Sequence, residues 1–239
     1  MTGVFCAIDS PSLSGAEDMV RKLAGVDIGL KIGLELYIAE GPRCIDALRA
    51  LHPKAKIFLD LKLHDIANTV AGAARSAVQC RVDFLTLHTS GGGAMMAGAV
   101  DAARDTGAKL GISPPALLGV TVLTNLDDAD LAAVGQQGPA EAQVLRLAQL
   151  AEASGLQGVV CSPLEIAALR SSLSKNMKLV VPGIRPDGTS AGDQKRTLTP
   201  HAAALLGADY LVIGRPITQA ADPARAAQEI LDGLDRKAA

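Results

Sequence analysis

The stretch Phe58-Leu-Asp-Leu-Lys-Leu-His-Asp-Ile-Ala-Asn-Thr69 sets Asp60, Lys62 and Asp65 into otherwise strand-like sequence. Side chains alternate along a strand, so Asp60 and Lys62 share a face with Phe58, while Leu59, Leu61 and Leu63 point the other way. Charges beside an apolar row are costly unless paired, which marks this strand end as a place for chemistry. Burial would lower the pKa of Lys62 and adjacent carboxylates would raise it, so the ammonium persists. A charged lysine suits a proton donor or electrostatic stabiliser rather than a Schiff-base amine. The plainer alternative is a structural Lys–Asp pair. Asp60 is expected to point inward, whereas Asp65 lies beyond the strand and can reach a neighbouring site or subunit. As a metal pair the two acids would need further ligands. His64 is read as positional or exposed rather than metal-bound.

The elements that must position these groups follow from periodicity. Strand-like runs cover Val4–Asp9, Ile28–Gly33, Ile57–Lys62, Phe84–His88, Leu118–Leu123, Gly158–Cys161, Leu179–Pro182 and Tyr210–Gly214. Alanine-rich helical stretches separate them. Ser14-Gly-Ala-Glu17 resembles a capping box, and Asp222-Pro223 reads as an N-cap followed by proline. After Pro139, residues Val144, Leu147, Ala148 and Ala151 fall at helical spacing. The alternation predicts a (β/α)8 TIM barrel, a single catalytic domain over residues 1–239. A doubly wound sheet is the rival, weakened by the lack of G-x-G-x-x-G after the first strand. Barrel active sites lie at the C-terminal strand ends. There the sequence places Asp9, Lys31, Asp60, Lys62, His88 and Arg215, and parity sends Asp9, Lys31, Asp60 and Lys62 to one mouth.

Two later segments suit an anion. In Tyr210-Leu-Val-Ile-Gly-Arg-Pro-Ile217, Gly214 lets a ligand approach backbone N–H groups, Arg215 offers a phosphate fork, and a short following helix would add its positive end. The loop from Val181-Pro-Gly-Ile-Arg-Pro-Asp-Gly188 through Gln194 has the composition of a lid, with Arg185 and Gln194 able to close over phosphate. Ser90-Gly-Gly-Gly93 reads more simply as a βα turn, and His88 as a core histidine. Thr121 and Thr124 follow a strand and are able to read a polar ring.

Composition narrows the function classes. Of 239 residues 49% are hydrophobic and the formal net charge is -2, so no global field draws nucleic acid or an anionic membrane. Aromatics at 2% argue against base-stacking platforms. Cys6, Cys44, Cys80 and Cys161 form no C-x-x-C pair and read as buried reduced thiols, which fits a cytoplasmic location. No apolar signal core or run of about 18 apolar residues is present.

Together these residues resemble orotidine 5'-phosphate decarboxylases of the bacterial type, in order along nearly the whole chain. The matching parts are Ala7-Ile-Asp9, Leu30-Lys-Ile-Gly33, Asp60 to Thr69, Gly119-Val-Thr-Val-Leu-Thr124, Pro182-Gly-Ile-Arg185, Asp193-Gln194 and Ile213-Gly-Arg-Pro216. The resemblance implies decarboxylation of orotidine 5'-monophosphate to uridine 5'-monophosphate, with Lys62 as proton donor in a network of Lys31, Asp60, Lys62 and Asp65. It implies ribose contacts from Asp9 and Lys31, a pyrimidine contact from Thr124, and Ile66 within the substrate-binding segment. Gln194 would link base and phosphate regions, and Arg185, Gly214 and Arg215 would lie on the phosphate side. It further implies a homodimer in which Asp65 and Thr69 enter the partner's site, and no metal or organic cofactor. Ala67 stands where the family commonly has proline, and Asn125 where serine is common; the first is expected to loosen the loop and the second to alter base contacts. The enzyme rival is a metal-dependent phosphosugar decarboxylase or aldolase sharing Asp-x-Lys-x-x-Asp, in which a glutamate resembling a metal ligand stands at the place of Lys31. The rival from another class is a non-catalytic nucleotide-binding protein.

Overall fold

The computed structural model describes residues 2–186 and 197–235. Its strands are β1 (Gly3–Ile8), β2 (Gly29–Ile32), β3 (Ile57–Leu63), β4 (Phe84–His88), β5 (Ala116–Val120), β6 (Gly158–Val160), β7 (Lys178–Val181) and β8 (Tyr210–Ile213). They pair in parallel, in chain order, and β8 bonds back to β1 to close the barrel. The described α-helices are α1 (Leu13–Lys22), α2 (Leu34–Glu40), α3 (Arg43–Leu51), α4 (Ala67–Gln79), α5 (Gly93–Leu110), α6 (Asp128–Ala133), α7 (Ala140–Ala153), α8 (Ile166–Ser172), α9 (Pro200–Leu206), α10 (Arg215–Thr218) and α11 (Pro223–Asp235). The TIM barrel expected from the alternation is therefore present. None of the described helices is long and apolar enough to cross a membrane.

Alternation divides the core in two. On β1, Val4, Cys6 and Ile8 face the helices, while Phe5 and Ala7 face the barrel interior. On β8, Leu211 and Ile213 pack outward; Val212 packs inward with Tyr210 against the interior cluster. The strands are thus apolar on both faces, as a sheet covered by helices requires.

The few aromatic residues are concentrated where composition could not place them. All three phenylalanines and one of the two tyrosines fill the barrel floor. Phe5 meets Phe58 and Phe84 edge-to-face at centroid distances of 5.4 and 5.3 Å, and Phe84 meets Tyr210 at 5.1 Å. Each such pair contributes about 0.5–1.5 kcal/mol beyond burial. Gly29 makes room for this plug, since a Cβ there would lie 2.4 Å from the Phe5 ring. Gly29→Ala is therefore expected to cost about 1–3 kcal/mol through overpacking. Denaturant unfolding checks this, and an unchanged midpoint would show that the plug yields freely.

Local details correct some expectations. Helix α1 starts earlier than the Ser14 capping box, because Ser12 is the extended N-cap and its Oγ accepts the Gly15 N–H at 3.3 Å. At α11 the Arg225 N–H donates to Asp222 Oδ1 at 3.0 Å, as a cap before Pro223 should. In α7, Val144, Leu147, Ala148 and Ala151 are all buried. Strand β5 ends at Val120 rather than Leu123. There the Thr121 hydroxyl donates to the Val160 carbonyl at 3.1 Å, beside its own main-chain N–H at 3.5 Å. Ser90 to Gly93 lies in a 3-10 turn leading to α5, the βα turn anticipated. Cys6, Cys44 and Cys161 are buried and free, whereas Cys80 is only half-buried. Burial pushes the Cys6 thiol up to about 12 and that of Cys44 to about 11.

Candidate active site

The inward faces of β1 to β4 carry their charged and polar side chains just above the aromatic floor. Lys31 Nζ lies 3.4 Å from Asp9 Oδ1 and 3.6 Å from Asp60 Oδ2, and Lys62 Nζ lies 2.9 Å from Asp60 Oδ2. The four groups expected at one mouth thus meet in a chain of opposite charges. Asp60 is the hinge of that chain, with a side chain only 12% exposed. Its burial alone would push the carboxyl up. Lys31, Lys62 and hydrogen bonds from Lys62 and Thr86 outweigh that effect and hold it below its ordinary value. Asp60 therefore stays ionised around neutral pH. Its contribution to stability is present above the unfolded carboxylate range and is lost as pH falls through the folded value.

Strand alternation brought Asp60 and Lys62 together on paper, but the backbone does so differently. Lys62 has φ 51, in the left-handed region that non-glycine residues seldom occupy. The β3–β4 register shifts between Leu59 and Leu63. The Lys62 N–H donates to Thr86 Oγ1 at 2.9 Å, and the Thr86 hydroxyl donates to Asp60 Oδ1 at 2.9 Å. Thr86, fully buried, was missed by sequence reasoning. The available signal was its parity with Phe84 on β4, which makes it a polar residue on an inward face. Strain stored at a functional residue is a recurrent feature of active sites.

Two cavities meet at Lys31. One, of about 200 Å³, is lined by Lys31, Asp60, Lys62, Thr124, Val122 and Pro182, among others. It has cationic and anionic groups on one side and an apolar wall on the other. The second, of about 430 Å³, includes Asp9, Lys31, Arg185, Gly214, Arg215 and Thr218. Here Gly214 caps α10, the short helix expected after the last strand. Arg185 is placed by a main-chain bond from its N–H to the Leu198 carbonyl at 2.9 Å. Thr218, a turn beyond Arg215, is a further polar lining group that sequence reasoning did not single out. Gln194 lies outside the described residues, as does most of the loop with lid composition.

Other expected site residues stand apart. Asp65, Ile66 and Thr69 are exposed and line neither cavity, and Asp65 Oδ1 accepts the Ile66 N–H at 2.6 Å. Ala67 is the first residue of α4, where alanine is an ordinary helix former, so the departure from proline leaves the helix start intact. Asn125 is exposed and absent from the cavity lining, unlike Thr124 beside it. Exposed His64 stacks against half-buried His88, with ring centroids 5.4 Å apart. Burial, with His64 and Lys62 nearby, lowers the His88 pKa, so it is neutral near pH 7. Among the described residues no three His, Cys, Asp or Glu side chains converge as a metal set.

This arrangement can hold a polyanion in the arginine-lined compartment while a ring occupies the other, with an ammonium beside the ring. Residues 2–230 match the model of the family described as "Orotidine 5'-phosphate decarboxylase / HUMPS family". An orotidine 5'-phosphate decarboxylase of Paramagnetospirillum magneticum is 52% identical over 227 residues, covering 95% of this chain and 96% of that protein. One from Idiomarina loihiensis is 46% identical, covering 97% of each chain. The crystal structure of orotidine 5'-phosphate decarboxylase from Lactobacillus acidophilus superposes with a TM-score of 0.87 at 36% identity, covering 98% of this chain and 100% of that one.

Proposed function

The chain belongs to the orotidine 5'-phosphate decarboxylase / HUMPS family, and from that premise we propose that it converts orotidine 5'-monophosphate to uridine 5'-monophosphate and CO2 in pyrimidine biosynthesis, with Lys62 as the proton donor. The observation that carries this reading is the pair of compartments joined at Lys31. One holds the Asp60–Lys62 pair beside Thr124, and the other holds Arg185 and Arg215. They match a nucleotide's base and phosphate, with the ribose between them at Asp9 and Lys31.

In the proposed step the C6–carboxylate bond breaks, CO2 leaves and the electron pair stays on C6. The ring offers no delocalised sink for that pair, so preorganised positive charge must stabilise it. Lys62 supplies the charge and then transfers a proton from Nζ to C6; solvent later reprotonates the amine. Asp60 holds the ammonium in place through Oδ2 at 2.9 Å. Phosphate binding by Arg185, Gly214, Arg215 and Gln194, remote from C6, would stabilise the closed complex and so contribute to the transition state. Neither a metal nor an organic cofactor enters this chemistry. The active unit is read as a single barrel domain in each protomer of a cytoplasmic homodimer, with Asp65 and Thr69 completing the partner's site and Ile66 in the same substrate-binding segment. Exposure of Ile66, together with Leu34 and Ile38 just after the neighbouring strand β2, supports such an interface.

The phosphosugar alternative is disfavoured by Lys31. Its ammonium lies 3.6 Å from Asp60, where it would repel a divalent cation. The protein is expected to turn over the nucleotide and leave sugar phosphates unchanged, with or without magnesium. Magnesium-dependent turnover of a sugar phosphate alone would replace this reading. Arg215→Ala is expected to raise KM for the nucleotide by about 10–100-fold through loss of a charge-assisted phosphate contact. Unchanged kinetics would remove Arg215 from the phosphate site.

A further inference from the structure

We infer that Thr86 is a positioning residue for the reaction: its buried hydroxyl fixes both the main chain of Lys62 and the side chain of Asp60. The inference rests on the decarboxylase reading above. It adds a residue of β4 that lies outside the charged network and touches neither cavity.

A hydroxyl has one proton and two lone pairs. The Lys62 N–H at 2.9 Å occupies a lone pair of Thr86 Oγ1. The single hydroxyl proton then goes to Asp60 Oδ1, also at 2.9 Å. This divides the labour of the Asp60 carboxylate. Oδ1 is held by Thr86, which leaves Oδ2 for Lys62 at 2.9 Å and Lys31 at 3.6 Å. Rotation of the carboxylate would break both sets together.

The same hydroxyl answers a main-chain problem. Between Leu59 and Leu63 the β3–β4 ladder changes register, and Lys62 turns left-handed at φ 51. The Lys62 N–H finds its acceptor in the Thr86 side chain. An apolar residue at this fully buried position would leave that N–H and one carboxylate oxygen without these partners. The strained turn carrying the proton donor is thus anchored to the carboxylate that orients its ammonium. Threonine is also a good strand residue, which lets it serve in β4 without disturbing the ladder to Leu118.

Thr86→Val keeps the shape and removes the hydroxyl. It is expected to lower kcat about 10–100-fold while KM and the inhibition constant of uridine monophosphate change less than about 3-fold, because the loss falls on orientation of the reacting groups. Thr86→Ser restores the hydroxyl and is expected to recover kcat to within about 5-fold of the parent. Thermal melting identifies folded variants; if the valine protein does not fold, Thr86→Ala removes the same hydroxyl with less bulk and carries the same expectation. A hydroxyl-free variant with parental kcat overturns the inference, as does a serine variant as impaired as valine. A rise in KM with unchanged kcat overturns it too. The parent protein is assayed alongside: inactivity there would reject the decarboxylase reading itself, and the positioning role with it.

Discussion

Lys62→Ala is expected to lower kcat for orotidine monophosphate by about 10⁴-fold or more, because one side chain supplies both the charge facing the nascent carbanion and its proton. Binding of uridine monophosphate should survive within about 10-fold, since the phosphate and ribose contacts lie elsewhere. The geometry explains why a smaller loss is not expected. Lys62 has the shortest ion pair to Asp60, at 2.9 Å, and Lys31 stands farther off at 3.6 Å, already shared with Asp9. No described neighbour stands ready to take over the transfer. Removing Lys62 also raises the Asp60 pKa relative to the parent, since a major source of its depression is gone. Steady-state turnover and product inhibition measured on the same preparation separate the two effects. Turnover near the parental rate would remove Lys62 from the chemistry.

The second large effect concerns Asp65. Its exposure, away from both cavities of its own chain, agrees with the proposed action on another protomer. Asp65→Ala should then be nearly inactive. Mixing and re-associating equal amounts of the Asp65→Ala and Lys62→Ala proteins should restore about one quarter of parental activity: half of the dimers are hybrids, and each hybrid has one site with both residues intact. If Asp65 served its own barrel, every hybrid site would lack one group and no activity would return. The mixing experiment thus reports the crossing directly, and dimer formation along with it.

The sequence carried much of this design, though unevenly. The barrel was legible because buried parallel strands and helices each impose a period, and because eight such alternations leave few architectures. Asp9, Lys31, Asp60 and Lys62 were legible for a related reason: ionisable residues at the ends of apolar strands are expensive unless they converge. The left-handed turn at Lys62 was not legible, since strict alternation predicts the same pairing of faces without it. Thr86 was only half legible: parity with Phe84 turns it inward, but a threonine suits a strand, and parity alone does not announce its hydrogen bond to Asp60. The aromatic plug was hidden, because a low aromatic fraction says nothing about where the rings gather. Asn125 was expected to alter base contacts because it stands where the family commonly has serine; it is exposed and, unlike Thr124, lines neither cavity. The proposed roles of Asp65 and Thr69 require a second protomer, which a single chain cannot position.

The central claim is metal-independent decarboxylation of a nucleotide with proton delivery to C6. Its most direct test is incubation of the purified protein with orotidine 5'-monophosphate in deuterated buffer containing a chelator, followed by nuclear magnetic resonance of the product. The account predicts uridine 5'-monophosphate carrying deuterium at C6, formed at the same rate with and without chelator. Unchanged orotidine monophosphate in the presence of folded protein, or product that forms only when magnesium is restored, would contradict it.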